Sequence, residues 1–218
     1  MKSHTSSVLP SLRSCLWNSQ SICNKTEFIC DYILENKLDI VFLTETWIKE
    51  EDQVILGEVC PPGFSILSVP RKASCRGGGI AVIYRSNLQL KRRFDVFQET
   101  FHFEFALISN AHVNFMIVYR PPTSGSSMLS EFLDEFENLL SCSDLLPGKL
   151  IVIGDFNLHV DSPRKPEAIQ FKALLTSLGY HQLVQEPTHR LGHTLDLIIV
   201  KEGDKVLSSC QVDAIFFS

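Results

Sequence analysis

Several apolar runs of this chain end on a side chain that can hold a cation or a phosphate. Asn18 closes "LRSCLWN", Glu45 follows "LDIVFLT", Tyr119 closes "HVNFMIVY", Asp155 and Asn157 follow "KLIVIG", and Asp196 interrupts "TLDLIIV". A carboxylate such as Glu45 suits a hard cation that keeps several waters and bridges to phosphate. An amide donates to phosphate oxygens without adding repulsive charge, and a phenol such as Tyr119 can donate to a pentavalent transition state. A carboxylate such as Asp155 can orient or deprotonate a water. Together these types suit metal-assisted attack of water on a phosphodiester.

Each position also has a plainer reading. Asn18 suits a turn, Glu45 a cap or a solvent-facing site, and Tyr119 a half-buried strand end. Asp155 and Asn157 after Gly154 suit an Asx turn. Asp196 fits the plain reading least, because a carboxylate among apolar neighbours costs several kcal/mol, of the order of 2–7, unless paired. The histidines at 159, 181, 189 and 193 show no convincing zinc-ligand spacing.

The elements that must position these groups are legible as period and length. Strands are expected at "LRSCLWN", "LDIVFLTET", "SILSVP", "GIAVIYR", "FALISN", "HVNFMIVYRPP", "KLIVIGDFN" and "HTLDLIIV", with "QVDAIFF" beginning another. Helices are expected at "NKTEFICDYILENK", at "SSMLSEFLDEFENLLS" and at "PEAIQFKALLTSLG". The second would place Met128, Leu129, Phe132, Phe136, Leu139 and Leu140 on one face. Hairpins in the middle flanked by β-α-β-like units predict an α/β fold of two packed mixed β-sheets with helices outside them. Residues 1–11 read as a loose N-terminal segment and 12–218 as one domain.

Composition narrows the classes. The chain has 218 residues, 44% hydrophobic and 21% charged, an ordinary globular balance. A net charge of −5 argues against bulk polyanion binding but not against a nucleic-acid enzyme with acids at a metal site. The basic runs Arg71, Lys72, Arg76 and Lys91-Arg92-Arg93 read as solvated faces. Seven scattered cysteines without C-x-x-C spacing fit free thiols. No secretory signal is visible, and no apolar stretch approaches the ~20 residues of a membrane span.

The order of motifs carries more than any one of them. "LWNSQSI…LDIVFLTETWI…GGGIAVIYR…FMIVYRPP…LIVIGDFNLHVD…THRLGHTLDLIIV" resembles the endonuclease/exonuclease/phosphatase superfamily. Within it, the chain is most similar to the apurinic/apyrimidinic-type endonuclease domain of non-LTR, LINE-type retrotransposons. The resemblance implies a four-layer α/β sandwich and Mg2+-dependent nicking of duplex DNA by a monomer, with Mn2+ as the alternative ion and the nucleus as the location. It implies Glu45 as main metal ligand with Asn18 beside it, Tyr119 on the scissile phosphate and Asn157 holding that phosphate. Asp155 would position the water or protonate the leaving group, and Asp196 would pair with a catalytic histidine. Thr188 and His189 would lie in the loop that approaches the nucleic acid.

The "TETW" and "YRPP" variants depart from repair enzymes, which weakens the implication of abasic-site specificity. The family's closing Ser-Asp-His triplet is expected where this sequence reads "DAIFFS". The last strand and the catalytic histidine are therefore expected to be missing and turnover impaired. A phosphatase or phosphodiesterase of the same superfamily, and a non-catalytic retroelement remnant, are the alternative readings.

Overall fold

The computed structural model describes residues 11–71, 77–93, 100–122, 125–206 and 208–212. The first sheet is built from β1 (Ser14–Asn18), β2 (Ile40–Thr44), β3 (Phe64–Val69) and β4 (Ile80–Arg85), in the order β1-β2-β4-β3. Helix α1 (Thr26–Glu35) is the crossover that lets β1 and β2 pair in parallel, and α2 (Gln53–Glu58) follows β2. The second sheet holds β5 (Lys91–Arg92), β6 (Glu104–Ser109), β7 (Val113–Tyr119), β8 (Lys149–Asp155), β9 (Tyr180–Gln182) and β10 (Asp196–Lys201). Its order is β5-β6-β7-β8-β10-β9. Helix α3 (Ser126–Ser143) is the crossover between parallel β7 and β8, and α4 (Pro166–Ser177) follows β8.

Three apolar clusters define four layers. Ile29 and Ile33 of α1 pack with Val41, Leu43, Ala81 and Ile83 on the outer face of the first sheet. Phe132, Phe136, Leu140 and Phe171 of α3 and α4 pack with Met116, Val118, Val152 and Ile199 on the outer face of the second. Between the sheets lie Ile40, Phe42, Ile80, Val82, Ile108, Phe115, Ile117 and Ile153. The sheets are mixed and covered outside by helices, as the patterning predicts.

Each expected strand other than "QVDAIFF" and each expected helix is present, with four additions, one of them a 3-10 turn at Ser86–Leu88. Helix α2 has six residues, too few to show a period; β5 and β9 have two and three. On α3, Met128 departs from the expected buried face: it is 39% exposed, because it sits in the first turn of the helix, where the packed face is only beginning. On α1, Phe28 is likewise exposed while Ile29 and Ile33 are buried. Residues 213–218 of the expected terminal strand lie outside the described residues, as do Lys72 and Arg76.

Candidate functional site

Strand alternation selects the site. Side chains two apart share a face. Leu16 packs into the space between the sheets, and so do Ile117, Ile153 and Ile198. The next positions of the same parity are Asn18, Tyr119, Asp155 and Asp196. Direction then puts them at one end. In the first sheet Asn18 pairs with Thr44, and Thr44 with Ile80. In the second, Glu104 pairs with Tyr119, Tyr119 with Asp155, and Asp155 with Asp196. Parallel strands therefore deliver their last residues, and antiparallel strands their first, to the same rim of the sandwich.

Asn18 joins the two sheets at that rim. Its Nδ2 donates to Glu45 Oε1 at 3.1 Å and to Asp155 Oδ2 at 2.8 Å. The other oxygen of Asp155, Oδ1, accepts the backbone N–H of Asn157 at 3.0 Å. This is an Asx turn, so the plain reading of Asp155 and Asn157 is also true here. The Asn157 side chain donates to the Arg120 carbonyl at 2.8 Å, which spends one of its two amide hydrogens. Arg120 is buried; its guanidinium donates to the carbonyl of Phe156 at 3.3 Å and stands over the Phe132 ring. The "GDFN" segment is thus held from below by the arginine of "YRPP".

Backbone conformation is unusual at the same residues. Glu45 and Asn157 have φ of 51° and 47°, in the left-handed region. That region is tolerable for Asn and rare for Glu. At position 154 glycine is the only type that fits between β8 and β7, since a Cβ on Gly154 would lie 1.8 Å from the Val118 carbonyl oxygen.

The acids crowd one another. Burial, then repulsion from Asp196, pushes the Asp155 carboxyl well above the usual carboxylate range, against the opposing hydrogen bonds from Asn157 and Asn18. Burial lifts Asp196 to about 6; its hydrogen bond with Thr188 opposes the shift and the charge of Glu45 adds to it. Asp196 Oδ1 is buried and has no hydrogen-bond partner. Burial, followed by the charges of Glu45 and Asp155, raises the Tyr119 phenol far above its ordinary value and keeps it protonated.

Asn18, Glu45, Tyr119, Asp155, Asn157 and Asp196 are therefore brought together. Thr188 is near but engaged: its Oγ1 accepts the backbone N–H groups of Leu195 and Asp196, both at 3.0 Å, fixing the entry to β10. His189 stands apart; its Nδ1 accepts the Leu191 N–H at 3.2 Å, and it makes no hydrogen bond to the acids. Two further residues belong to the rim. Glu104 accepts the Gly79 N–H at 2.6 Å, and its charge contributes to holding Tyr119 protonated. Trp47 donates its indole N–H to Glu45 Oε2 at 3.4 Å. "HFEFALIS" gives no signal for Glu104. For Trp47 the signal was its place in "TETW".

The rim offers carboxylate oxygens of the kind a hard cation takes. Among the described residues, no three acidic, imidazole or thiol groups are gathered so as to hold a metal ion by themselves. Mg2+ instead binds through one or two carboxylates and keeps waters. The unpartnered Asp196 oxygen and the raised carboxyls of Asp155 and Asp196 make a rim whose charge a cation would complement. As drawn, Asn18 turns its nitrogen to the acids; ligation by Asn18 requires the amide oxygen in that place, a turn about its last torsion.

The Endonuclease/Exonuclease/phosphatase family model matches residues 15–216, and the chain belongs to that family. Solved structures agree in fold. The endonuclease domain of TRAS1, a telomere-specific non-LTR retrotransposon, superposes with a TM-score of 0.65 at 15% identity, over 92% of this chain and 94% of that one. An AP endonuclease from Archaeoglobus fulgidus gives 0.64 at 15%, covering 88% and 87%. A point variant of the 3' phosphatase NExo from Neisseria, bound to product DNA hairpin, gives 0.64 at 17%, covering 88% and 87%. No curated protein matches the sequence. Among the described residues no helix is long and apolar enough to cross a membrane.

Proposed function

We propose that this chain is a Mg2+-dependent phosphodiester hydrolase of the retrotransposon-endonuclease kind, acting on duplex DNA, with slow turnover. The observation that carries the proposal is the Asn18 amide bridging Glu45 and Asp155 at the end of two sheets, 27 and 137 residues away in sequence. A pocket that gathers amide, phenol and carboxylates from five strand ends is preorganised for charge that develops on a phosphoryl group.

Glu45 and Asn18 would hold the ion at the substrate phosphate, where it would neutralise charge on the phosphoryl oxygens. Tyr119, kept protonated by burial and by its acidic neighbours, donates its O–H to a non-bridging oxygen. The remaining amide hydrogen of Asn157 donates to another. Asp155, oriented through both oxygens, aims the attacking water or returns a proton to the departing 3' oxygen. Thr188 keeps Asp196 in register with Asp155.

The slow turnover proposed here rests on the protons available at the rim. No histidine hydrogen-bonds Asp155 or Asp196 among the described residues. Lack of a triad-like base costs orders of magnitude in rate, about 10³ or more.

The test is nicking of supercoiled plasmid by residues 1–218, with Mg2+ and with chelator. Slow, Mg2+-dependent nicking that disappears in Glu45→Ala supports the proposal. Nicking that persists in Glu45→Ala, or hydrolysis of nucleotide or lipid phosphates in preference to DNA, overturns it.

A further inference from the structure

Resting on that reading, we infer that Trp47 is a nucleobase-stacking residue at the lip of the site, and that the Gly77–Gly79 strap keeps the approach to it clear. Trp47 is 38% exposed, whereas the other tryptophan, Trp17, is 8% exposed. Its φ is 59°, a left-handed conformation that a bulky side chain adopts at a cost on the order of 1–3 kcal/mol. Backbone bonds hold it there. Trp47 N–H donates to the Gly78 carbonyl at 2.9 Å, and Thr46 N–H to that of Gly79 at 3.1 Å. The strained backbone is thus retained in a residue whose ring is left partly open to solvent. No aromatic ring or cation packs on the indole among the described residues.

The surroundings say what the ring faces. A Cβ on Gly77 would lie 3.4 Å from the Tyr119 hydroxyl, 3.7 Å from Glu45 Oε2 and 3.8 Å from Trp47 Nε1. A side chain at position 77 would thus stand among the phenol, the carboxylate and the indole, and glycine puts none there. Gly78 and Gly79 are fixed by tighter limits: a Cβ on either would lie 2.6 Å from Glu104 Oε1 or 2.5 Å from Thr46 Oγ1. Both have positive φ. The strap is therefore a bare backbone floor joining the ring to the phenol and the carboxylate. With its N–H on Glu45 at 3.4 Å, the indole borders the carboxylate proposed to hold the ion at the substrate phosphate. A base that leaves the stack beside that phosphate could meet the indole, and an aromatic face suits any base.

The measurement is acrylamide quenching of tryptophan fluorescence in the full chain, without divalent metal, so that binding is read apart from turnover. The probes are an ordinary single-stranded oligonucleotide, its base-free tetrahydrofuran counterpart and inorganic pyrophosphate. Only the ordinary oligonucleotide is expected to shield Trp47, and it is expected to bind about tenfold more tightly than the base-free strand. Trp47→Ala should erase that tenfold difference, and Trp47→Phe, which keeps a ring but not the N–H, should retain most of it; thermal melts establish that both fold. A difference that survives Trp47→Ala, or is lost in Trp47→Phe, overturns the inference, the latter by assigning the role to the bond with Glu45. A chain that nicks DNA without base-dependent shielding sinks this inference alone. A chain that neither binds nor cuts DNA sinks the parent proposal, and this one with it.

Discussion

Two clusters of acids in this molecule are treated in opposite ways. On α3, Glu131 and Glu135 meet His102: Nε2 lies 2.8 Å from Glu131 Oε2 and Nδ1 lies 3.0 Å from Glu135 Oε1. Glu135 also accepts the backbone N–H groups of Phe101 and His102, at 3.1 and 3.2 Å. That cluster is satisfied, and it clips the approach to β6 onto the helix. At the rim between the sheets, Glu45, Asp155 and Asp196 share donors too few for their charge, and one oxygen of Asp196 has none. Satisfied acids hold a fold together. Unsatisfied acids, kept in place by strained backbone and buried strands, are stability forgone, which the proposed cation and phosphate would account for.

The contrast can be broken by substitution. The largest effect is expected from Glu45→Ala, which should lower Mg2+-dependent nicking at least ~100-fold while leaving the melting temperature unchanged or raised. Plasmid nicking and calorimetry on one preparation read both sides. Glu135→Ala should do the reverse: nicking persists, and stability drops by about 1–2 kcal/mol as two backbone N–H groups and an imidazole lose their acceptor. Denaturant unfolding measures that loss.

Smaller effects sharpen the comparison. Asp196→Asn should stabilise the metal-free chain by up to about 1 kcal/mol near pH 8, because it removes a buried charge and keeps the shape. The pH dependence gives the sign. The folded carboxyl near 6 binds its proton more tightly than the unfolded one, whose ordinary value is 3.8. Its favourable contribution is complete below the unfolded value and is lost as pH rises through about 6. Parent stability should therefore fall across that window relative to Asp196→Asn, and melts from pH 4 to 8, flanking the value of about 6, would show the two curves diverging. Last, Mg2+ should raise the melting temperature of the parent and not of Glu45→Ala, by the small amount that millimolar binding to the folded state allows. Equal shifts in both would place the ion elsewhere.

Much of this was legible beforehand for a definite reason. The apolar runs around Phe42, Ile117 and Ile153 mark strands by composition and length, and each ends on the polar residue that the rim uses. Apolar period gave α3, apart from Met128, whose place in the first turn no heptad records. Short elements such as α2 and β9 were invisible because six or three residues carry no period. Glu104 was invisible because its importance comes from pairing with Tyr119 across a ladder and from the glycines it receives. The resemblance supplied names for the roles, but only geometry separated Thr188, which buttresses β10, from His189, which meets none of the acids.

The sequence by itself determined which residues could carry the chemistry and which strand each would ride, because side-chain type and apolar alternation are local properties. The tertiary structure decided that strands from two sheets end at the same rim, with an amide between two carboxylates and a third acid left short of donors. That follows from parallel and antiparallel pairing across long loops and from the packing of two apolar faces, neither of which any short stretch of chain contains.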